Sequence, residues 1–354
     1  AIAFPAVEPL LRMDSRGKVY PHLAERWEVD PERAEVILYL RRGVQFHDGT
    51  PFNAEAVVYN LQQQINAKRI STFTEVTAVD EYTVRIRLKG WDNTAMLLLA
   101  GTQSLQISPT AVKEKGIDWV RWHPVGTGAF KLVKSDRNKE VVYEKNENYW
   151  DQGKPYLDGV HYIFFADEQT QKFALMGGEI DYLNSYSPEV IRDLRDAGFL
   201  VRLSPGGAFT GIFPDSANPD SPFADRRVRE AVWLGIDRKA IADARGFGTW
   251  APMNQLAYPN TDAFLEEYAD PTYDPERAKE LLAEAGYPNG LETKLIADSA
   301  REDRDAMVAV QRYLNQIGIR AELQMVEPAR RTDYQVNGWS GLLVSGVGYF
   351  ANYN

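Results

Sequence analysis

The sequence predicts an α/β protein of two or more domains, and three observations support this fold class. The chain has 354 residues, which is more than a single hydrophobic core usually organises. Val36, Leu38 and Leu40 alternate with Ile37, Tyr39 and Arg41, and apolar residues alternate with Arg and Lys over 84–89; both patterns predict half-buried strands. Between residues 293 and 325 a strand, a helix and a second strand follow one another with short links, an order typical of a parallel sheet.

The composition of the chain excludes several classes of protein. Hydrophobic residues make up 44% and charged residues 25%, as in ordinary globular proteins and unlike disordered or fibrous chains. The net charge of −10 argues against a nucleic-acid partner, because phosphate binding needs clustered Lys and Arg. The pairs Arg41–Arg42 and Arg330–Arg331 are too short for that role and are expected to be solvated surface charges. The absence of cysteine rules out disulfides, thiolate catalysis and cysteine-ligated metal sites.

The first third of the chain predicts two strands around one helix. The strand at 36–41 is followed by a turn at 46–52, after which Asn53 offers a side-chain oxygen to cap a helix. A second strand at 84–89 has one wet face and follows a turn at Asp80–Glu81. The predicted apolar face of the helix consists of Val57, Val58, Leu61 and Ile65.

The segment 125–160 is the most specific part of the sequence. Gly126 and Gly128 define a tight turn in which a Cβ is not expected to fit. Two apolar runs within 130–143, separated by polar residues, predict a hairpin. A polar loop with a Tyr and a Trp then occupies 146–154.

The second half of the chain supplies the strand–helix–strand unit. Asp274 followed by Pro275 is a strong helix start, and Gly286 ends that helix. Strands are predicted at 293–297 and 319–325. The helix between these strands presents an apolar face of Met307, Val310, Leu314 and Ile317.

Three blocks of the sequence resemble a known family. They are residues 42–57 (RGVQFHDGTPFNAEAV), 125–160 and 225–238 (DRRVREAVWLGIDR), and through these separate blocks the resemblance extends over essentially the whole chain. These blocks are similar to those of the solute-binding proteins of peptide- and nickel-type ABC importers, the extracellular solute-binding family 5. The resemblance implies a two-lobed periplasmic-binding-protein-like fold of class II type, with an extra subdomain in the first lobe.

The same resemblance predicts the domain organisation. Residues 1–19 are expected to begin the core of the first lobe, 20–108 to form the extra subdomain, 109–215 to complete the first-lobe core, and 216–354 to form the second lobe. Family members are usually longer. The resemblance therefore implies that the chain starts late and ends within the second lobe.

The resemblance implies that the protein binds a solute and does not catalyse a reaction on it. The expected partners are an oligopeptide-sized ligand, held between the lobes by hinge closure, and the membrane permease of an ABC importer. A monomer without a cofactor is expected, in the periplasm or outside the cell, and possible attachment through a lipid anchor is left open. No apolar run approaches the roughly 18 residues of a membrane span, and no signal peptide is visible at Ala1, as in a mature, processed or trimmed chain.

Catalytic and metal-binding motifs find little support in the residues. The four histidines show no H-E-x-x-H spacing, and His47 beside Asp48 is interpreted as part of a turn. The Gly126–Gly128 turn lacks the third glycine of a dinucleotide loop, and no G-x-S-x-G motif is present. These observations favour a binding protein over an enzyme.

Candidate ligand-binding residues are aromatic and amide side chains in loops or glycine-rich contexts, although most aromatic residues of such a protein fill its cores. Gln103, together with Gln106, lies where nickel-type relatives have a cation, and an amide there favours a neutral partner; exposed strand polarity is the alternative. The candidates are Gln103, Tyr186, Phe209, Trp250, Tyr349 and Asn352.

Asn352 carries the most specific prediction about the ligand. In peptide-binding relatives an A-D-Y-N-like segment supplies an acid that pairs with the α-ammonium of the peptide, and here Ala351–Asn354 reads A-N-Y-N. An amide does not compensate a buried ammonium as a carboxylate does. The resemblance therefore implies a ligand without a free α-amine at this point, such as a neutral oligosaccharide or a modified peptide; a one-residue misalignment is the alternative.

Three other functions stay open at this point. A receptor for a metal chelate or an opine would line its cleft with Arg or Lys. A secreted carbohydrate-active enzyme would place two carboxyl groups about 5–10 Å apart across a cleft. A structural or adhesion module would have no enclosed cleft.

Overall fold

The chain divides between Ala166 and Asp167 into two units, Ala1–Ala166 and Asp167–Tyr353. The computed structural model describes residues 3–14, 17–203, 208–257, 259, 264–270 and 272–348. Both units contain helices and strands, and the parallel strand pairs of the predicted α/β class occur in the second unit. The division falls earlier than the predicted lobe boundary at 215/216, because a strand at Ala208–Pro214 pairs with Leu342–Gly348. The predicted lobe boundaries themselves stay a prediction.

The first unit contains three antiparallel sheets and four helices among its described residues. The sheets have the strand orders β1-β2, β3-β4-β6-β5 and β7-β8-β9. The strands are β1 (Leu11–Met13), β2 (Val19–Pro21), β3 (Ala24–Asp30), β4 (Glu35–Leu40), β5 (Phe73–Asp80), β6 (Thr83–Leu88), β7 (Phe130–Asp136), β8 (Glu140–Lys145) and β9 (Gly159–Ile163); the helices are α1 (Ala54–Asn66), α2 (Ala95–Ala100), α3 (Pro109–Lys115) and α4 (Ile117–Val120).

The main core of the first unit forms where α1 packs on the four-stranded sheet. Every second residue of β4 and of β6 is buried, as the alternating pattern predicts. The side chain of Asn53 accepts a hydrogen bond from the Ala56 amide at 3.1 Å, which confirms the predicted cap. The predicted apolar face of α1 contacts the same core, with Val57 and Leu61 fully buried.

The second unit contains one four-stranded sheet with helices packed around it. Its described helices are α5 (Glu168–Met176), α6 (Pro188–Asp196), α7 (Arg226–Leu234), α8 (Arg238–Gly246), α9 (Pro275–Glu284), α10 (Arg304–Gln316) and α11 (Pro328–Asn337). Its strands are β10 (Ala208–Pro214), β11 (Leu291–Asp298), β12 (Ile319–Val326) and β13 (Leu342–Gly348), in the order β10-β13-β11-β12. None of the described helices is long and apolar enough to cross a membrane.

The predicted strand–helix–strand unit is confirmed. Strands β11 and β12 are parallel, in register from Leu291 opposite Ile319 to Asp298 opposite Val326, and α10 connects them. Asp274 caps α9 by accepting a hydrogen bond from the Arg277 amide at 2.9 Å. The predicted apolar face of α10, from Met307 to Ile317, is buried in the core of this unit.

The Gly126–Gly128 turn packs directly against the start of the chain. A Cβ on Gly126 would overlap the carbonyl oxygen of Ala6, and a Cβ on Gly128 would overlap that of Pro5. His47 donates from Nε2 to the Gly128 carbonyl at 2.8 Å, so its predicted role in turn architecture is confirmed. Burial lowers the pKa of His47, which is consistent with a neutral ring at this contact.

A buried carboxylate, Glu8, joins the segments around this turn. Its side chain accepts hydrogen bonds from the Thr127 hydroxyl at 2.8 Å, the Tyr149 hydroxyl at 2.6 Å and the Trp150 indole at 3.0 Å. The Nε2 atom of His22 lies 3.1 Å from the same carboxylate, and Glu8 itself is 5% exposed. The aromatic loop at 146–154 therefore supplies two of the donors, Tyr149 and Trp150, for one internal charge.

The electrostatics of this group favour the ionised carboxylate. Burial by itself raises the pKa of Glu8, but the hydrogen bonds from His22, Tyr149 and Trp150 outweigh burial and hold the pKa below its ordinary value of 4.5. Burial and the charge of Glu8 raise the pKa of Tyr149, so its hydroxyl stays a donor.

The expectation of solvated charge is wrong for Arg41, which lies 4.5 Å from the Trp150 ring and donates to the His22 carbonyl.

Replacement of Glu8 by Ala is expected to lower the free energy of unfolding by about 3–5 kcal/mol, since it leaves two buried hydroxyl donors, the half-buried Trp150 indole and His22 without their acceptor. Urea denaturation followed by circular dichroism measures this change. The control is Glu28→Ala, because Glu28 is an exposed acid paired with Arg26 and its loss should cost about 0–1 kcal/mol. Equal costs for the two variants would contradict the role given to Glu8.

Stability is also expected to depend on pH through Glu8. A carboxyl whose pKa is lowered by folding stabilises the protein above its unfolded pKa, and that contribution is lost as the pH falls through the folded pKa. The free energy of unfolding should therefore decrease as the pH is lowered from above 4.5. Urea denaturation at several pH values should show a smaller decrease for Glu8→Gln, which cannot titrate. Identical slopes for the two proteins would refute the assignment.

Candidate functional site

The carboxyl ends of three parallel strands meet at one edge of the second unit. Strands β11, β12 and β13 end at Asp298, Val326 and Gly348, and β11 is parallel to both of the others. Strand β10 is antiparallel to β13 with Ala208 opposite Gly348, so its first residues lie at the same edge. Open α/β sheets bind ligands at this side, which we call the carboxyl edge.

Backbone hydrogen bonds hold the loop that leaves β11 at this edge. The Ser299 amide donates to the Val326 carbonyl at 2.8 Å, which ties the loop to the end of β12. The side chain of Asp298 accepts from the Ala300 amide at 2.9 Å, and Asp298 is fully buried. The loop ends at Asp303, whose carboxylate caps α10 by accepting from the Ala306 amide at 2.7 Å.

A buried arginine from α11 lies beneath the carboxyl edge. Arg331 is 9% exposed and donates from Nη2 to the Ser345 hydroxyl on β13 at 2.7 Å. Its Nε atom lies 4.0 Å from the carboxylate of Asp298, so the two buried charges face each other. Gln335 donates to the same Ser345 hydroxyl at 3.2 Å. The expectation of a solvated Arg331 is therefore wrong, because β11 and β13 supply buried partners for it.

Glu302 is the half-buried acid of the edge. Its carboxylate accepts a hydrogen bond from the Thr210 hydroxyl of β10 at 3.3 Å. Burial raises the pKa of Glu302 and the charge of Asp298 adds to this effect, which together outweigh the hydrogen bond from Thr210. No cation among the described residues forms an ion pair with Glu302. Its carboxylate oxygens can accept further hydrogen bonds from a ligand.

Arg245 of α8 fixes the helix that begins at the edge. Its guanidinium binds Asp303 at 2.7 Å and Glu189 of α6 at 2.9 Å. The hydrogen bond from Arg245 and the capped helix start lower the pKa of Asp303 against the opposing effect of burial. The contacts of Arg245 with Asp303 and Glu189 thus fix the start of α10 and the end of the 298–303 loop.

The structure distributes the predicted site residues unevenly. Phe209 lies on β10 at the carboxyl edge, half-buried and opposite Val347 of β13. Tyr349 and Asn352 lie outside the described residues, although both follow the end of β13 in the sequence. Tyr186 is 85% exposed and directly precedes the cap of α6. All four stay predictions.

Two further predicted residues lie in other surroundings. Trp250 packs against the core of the second unit, where a Cβ on Gly246 would contact its side chain. Gln103 is half-buried in a short turn of the first unit. Gln106 is fully buried and donates to the Ser104 carbonyl at 2.7 Å, so the alternative expectation of exposed strand polarity is wrong for it.

Asp298 and Glu302 are not among the residues predicted from the sequence, and Arg331 is predicted only as a solvated charge. A usable signal existed for Asp298, because an acid directly after a predicted strand of a βαβ unit falls at the carboxyl edge. The residues that the structure describes contain no group of three or more His, Asp or Glu arranged to hold a metal ion. The arrangement is suited to hydrogen bonding and charge recognition.

A groove of about 890 Å³ lies at the opposite, amino edge of the same sheet, lined in part by Glu292, Lys294 and Arg320. We favour the carboxyl edge despite the size of this groove. Arg320 already pairs with Glu292 at 3.2 Å, and both side chains are well exposed. The amino edge thus lacks the buried, incompletely paired charges that mark the carboxyl edge.

Comparison with known proteins gives a consistent result. A family model described as bacterial extracellular solute-binding proteins, family 5 Middle, matches residues 18–353. The glutathione-binding protein GsiB of Shigella flexneri is 30% identical over 99% of this chain and 69% of its own length. GsiB of Salmonella choleraesuis is 31% identical over the same shares.

Solved structures share the fold. The PBP AgaA from A. tumefacien R10, in complex with agropinic acid, superposes with a TM-score of 0.79 at 28% identity, covering 100% of this chain and 73% of AgaA. The periplasmic binding protein DppA from Helicobacter pylori has a TM-score of 0.82 at 24% identity, over 98% of this chain and 73% of DppA. These similarities confirm the predicted periplasmic-binding-protein-like fold.

Two adjacent arginines provide a direct test of the buried charges. Arg331→Leu is expected to lower the free energy of unfolding by about 1–3 kcal/mol, because it removes the buried partner of Asp298 and of the Ser345 hydroxyl and leaves Asp298 only the exposed Arg301, whose Nε is 3.9 Å away. Arg330→Leu is the matched control and should cost about 0–1 kcal/mol, since Arg330 is 61% exposed. Urea denaturation of both variants measures the difference, and equal costs would show that Arg331 is not a partner of Asp298.

Proposed function

The chain belongs to family 5 of the bacterial extracellular solute-binding proteins, and we propose that its solute binds at the carboxyl edge of the second unit. The observation that carries solute binding is the family match over residues 18–353, with relatives aligned over 99% of the chain. Family 5 proteins deliver ligands to the permeases of ABC transporters, and these relatives are binding proteins, not enzymes. We extend this to the chain as a monomeric, non-enzymatic receptor in the periplasm or on the outer face of a membrane.

The charges near the carboxyl edge limit the ligand. Asp298 and Glu302 are acids, while Arg331 is committed to Ser345 and Asp298. The segments that adjoin this edge in the sequence, 204–207 and 349–354, contain no charged residue. An anionic chelate would meet these acids there, and Arg301, the exposed cation of the same loop, already lies 3.9 Å from Asp298, so the edge does not favour a chelate receptor.

The amide of Asn352 limits the ligand further. GsiB binds glutathione according to its name, and AgaA was solved with agropinic acid, so the relatives take solutes of more than one class. An amide offers one acceptor and two donors but no charge with which to neutralise an ammonium. We therefore assign a peptide-sized solute that presents amide or hydroxyl groups to Asn352, such as a blocked peptide or a neutral oligosaccharide. The predicted hinge closure stays a prediction.

Native mass spectrometry of the purified protein is the first experiment, because a retained solute would reveal its mass directly. Isothermal titration calorimetry then compares a tripeptide, its N-acetylated form, glutathione and a neutral oligosaccharide. We expect the acetylated peptide or the oligosaccharide to bind more tightly than the free tripeptide. Failure of every class to bind would count against the assignment.

The variant Asn352→Asp tests the role of the amide. A carboxylate at this position should strengthen binding of the free tripeptide by roughly 10–100-fold, because a charge-assisted hydrogen bond contributes about 1.5–3 kcal/mol. It should weaken binding of the acetylated peptide, whose amide cannot supply a cation. Titration calorimetry measures both changes.

Asn218→Asp is the control for this substitution. Asn218 is an exposed residue that lines the groove at the amino edge, so the same change of charge there should leave both affinities unaltered. Unchanged affinity of Asn352→Asp for the neutral ligand would remove Asn352 from the site.

A further inference from the structure

The first unit exposes a short segment rich in aromatic and basic residues. The segment is 113–122, which runs from the last turn of α3 through α4, and we call it, with Arg137, the aromatic–basic patch. Ile117 is 44% exposed, Trp119 39% and Trp122 51%, although they lie within six residues of one another. Large apolar side chains concentrated in this way on a surface usually mark an interaction site.

The two indoles are held in place by their neighbours. The His123 ring stacks on Trp119 with 4.4 Å between centroids and 12° between planes. The Arg137 guanidinium lies 5.0 Å from the centre of the Trp122 ring. Val120, between the two tryptophans, is 3% exposed and anchors the segment in the unit. Both indoles are therefore held in position on the surface by contacts with neighbouring side chains.

The patch is positive on an acidic protein. Four basic residues, Lys113, Lys115, Arg121 and Arg137, outnumber the acids Glu114 and Asp118, whereas the whole chain has a net charge of −10. Asp118 is already paired with Arg121 at 2.8 Å. No carboxylate of the described residues lies within ion-pair distance of Lys113, Lys115 or Arg137.

We propose that the aromatic–basic patch binds the surface of a membrane that contains anionic lipids. Tryptophan prefers the boundary between water and hydrocarbon, because its ring is apolar and its N–H is a donor. Lys and Arg beside it attract anionic headgroups. The local positive charge selects this occupant, because Lys113, Lys115 and Arg137, which are unpaired within the described part of the chain, complement anionic headgroups.

The association is weak and reversible. Two indoles and one isoleucine bury little area compared with an amphipathic membrane helix, so binding depends on the added attraction of the cations. It does not depend on the identity of the solute or on the carboxyl edge. Its effect is to raise the concentration of the first unit next to a lipid surface.

The experiment is flotation of the full chain with vesicles, combined with quenching of tryptophan fluorescence by brominated phosphatidylcholine. Vesicles contain either phosphatidylcholine alone or an equal mixture with phosphatidylglycerol. We expect the protein to float and its fluorescence to be quenched only with the anionic vesicles at low salt. At about 1 M salt, where the Debye length is about 3 Å, both signals should disappear.

The decisive variant is Lys113→Glu/Lys115→Glu, which keeps both tryptophans and changes only exposed side chains. The vesicle-bound fraction should fall roughly tenfold or more, since each basic residue near the surface contributes to attraction. The matched control is Lys239→Glu/Lys279→Glu, two exposed lysines of the second unit with the same change in net charge. Its binding should equal that of the parent protein.

Several outcomes would overturn the proposal. They are no flotation with anionic vesicles at low salt, equal flotation with phosphatidylcholine alone, or equal losses in the two lysine variants. Flotation without quenching of the indoles would overturn it as well, because the tryptophans would then not reach the bilayer. Trp122→Ser adds an independent check, since it should reduce both flotation and quenching while circular dichroism stays unchanged.

Discussion

The carboxylate of Glu8 lies almost out of reach of solvent and is bound by side chains from three distant segments of the first unit. A buried charge is costly unless every oxygen is bound, so the positions of His22, Thr127, Tyr149 and Trp150 are linked to one another. The close approach of the Gly126–Gly128 turn to residues 5–7 is part of the same constraint. Residues 5–8 thus hold the segment 125–160 in its observed conformation.

The second unit meets a similar constraint at a different place. Asp298 ends a central strand with no access to solvent, and Arg331 reaches it from the helix between β12 and β13. The two charges lie under the edge at which three parallel strands end, beside the acid Glu302. Buried charges destabilise a protein unless they are paired, and charges with perturbed pKa values are concentrated at functional sites. The position of Asp298, Arg331 and Glu302 at this edge therefore supports it as the solute site.

The two buried groups differ in how completely they are satisfied. The hydrogen bonds to Glu8 are short and numerous, as is typical of a group that stabilises the fold. The contact between Asp298 and Arg331 is long, and Glu302 has only the Thr210 hydroxyl as a bound partner among the described side chains. An incompletely paired polar surface retains capacity for a further partner. The first group therefore stabilises the fold, and the second supports the proposal that the solute binds at the carboxyl edge.

Local patterns in the sequence determined the strands of alternating burial, the helix caps at Asn53 and Asp274, the βαβ unit and the family. These features depend on residues a few positions apart, which periodicity and capping chemistry describe directly. Only the tertiary structure decided that Glu8, Asp298 and Arg331 are buried while Arg330 is exposed. The reason is that burial of a charge depends on partners from distant segments, such as Tyr149 for Glu8, and no local pattern encodes them.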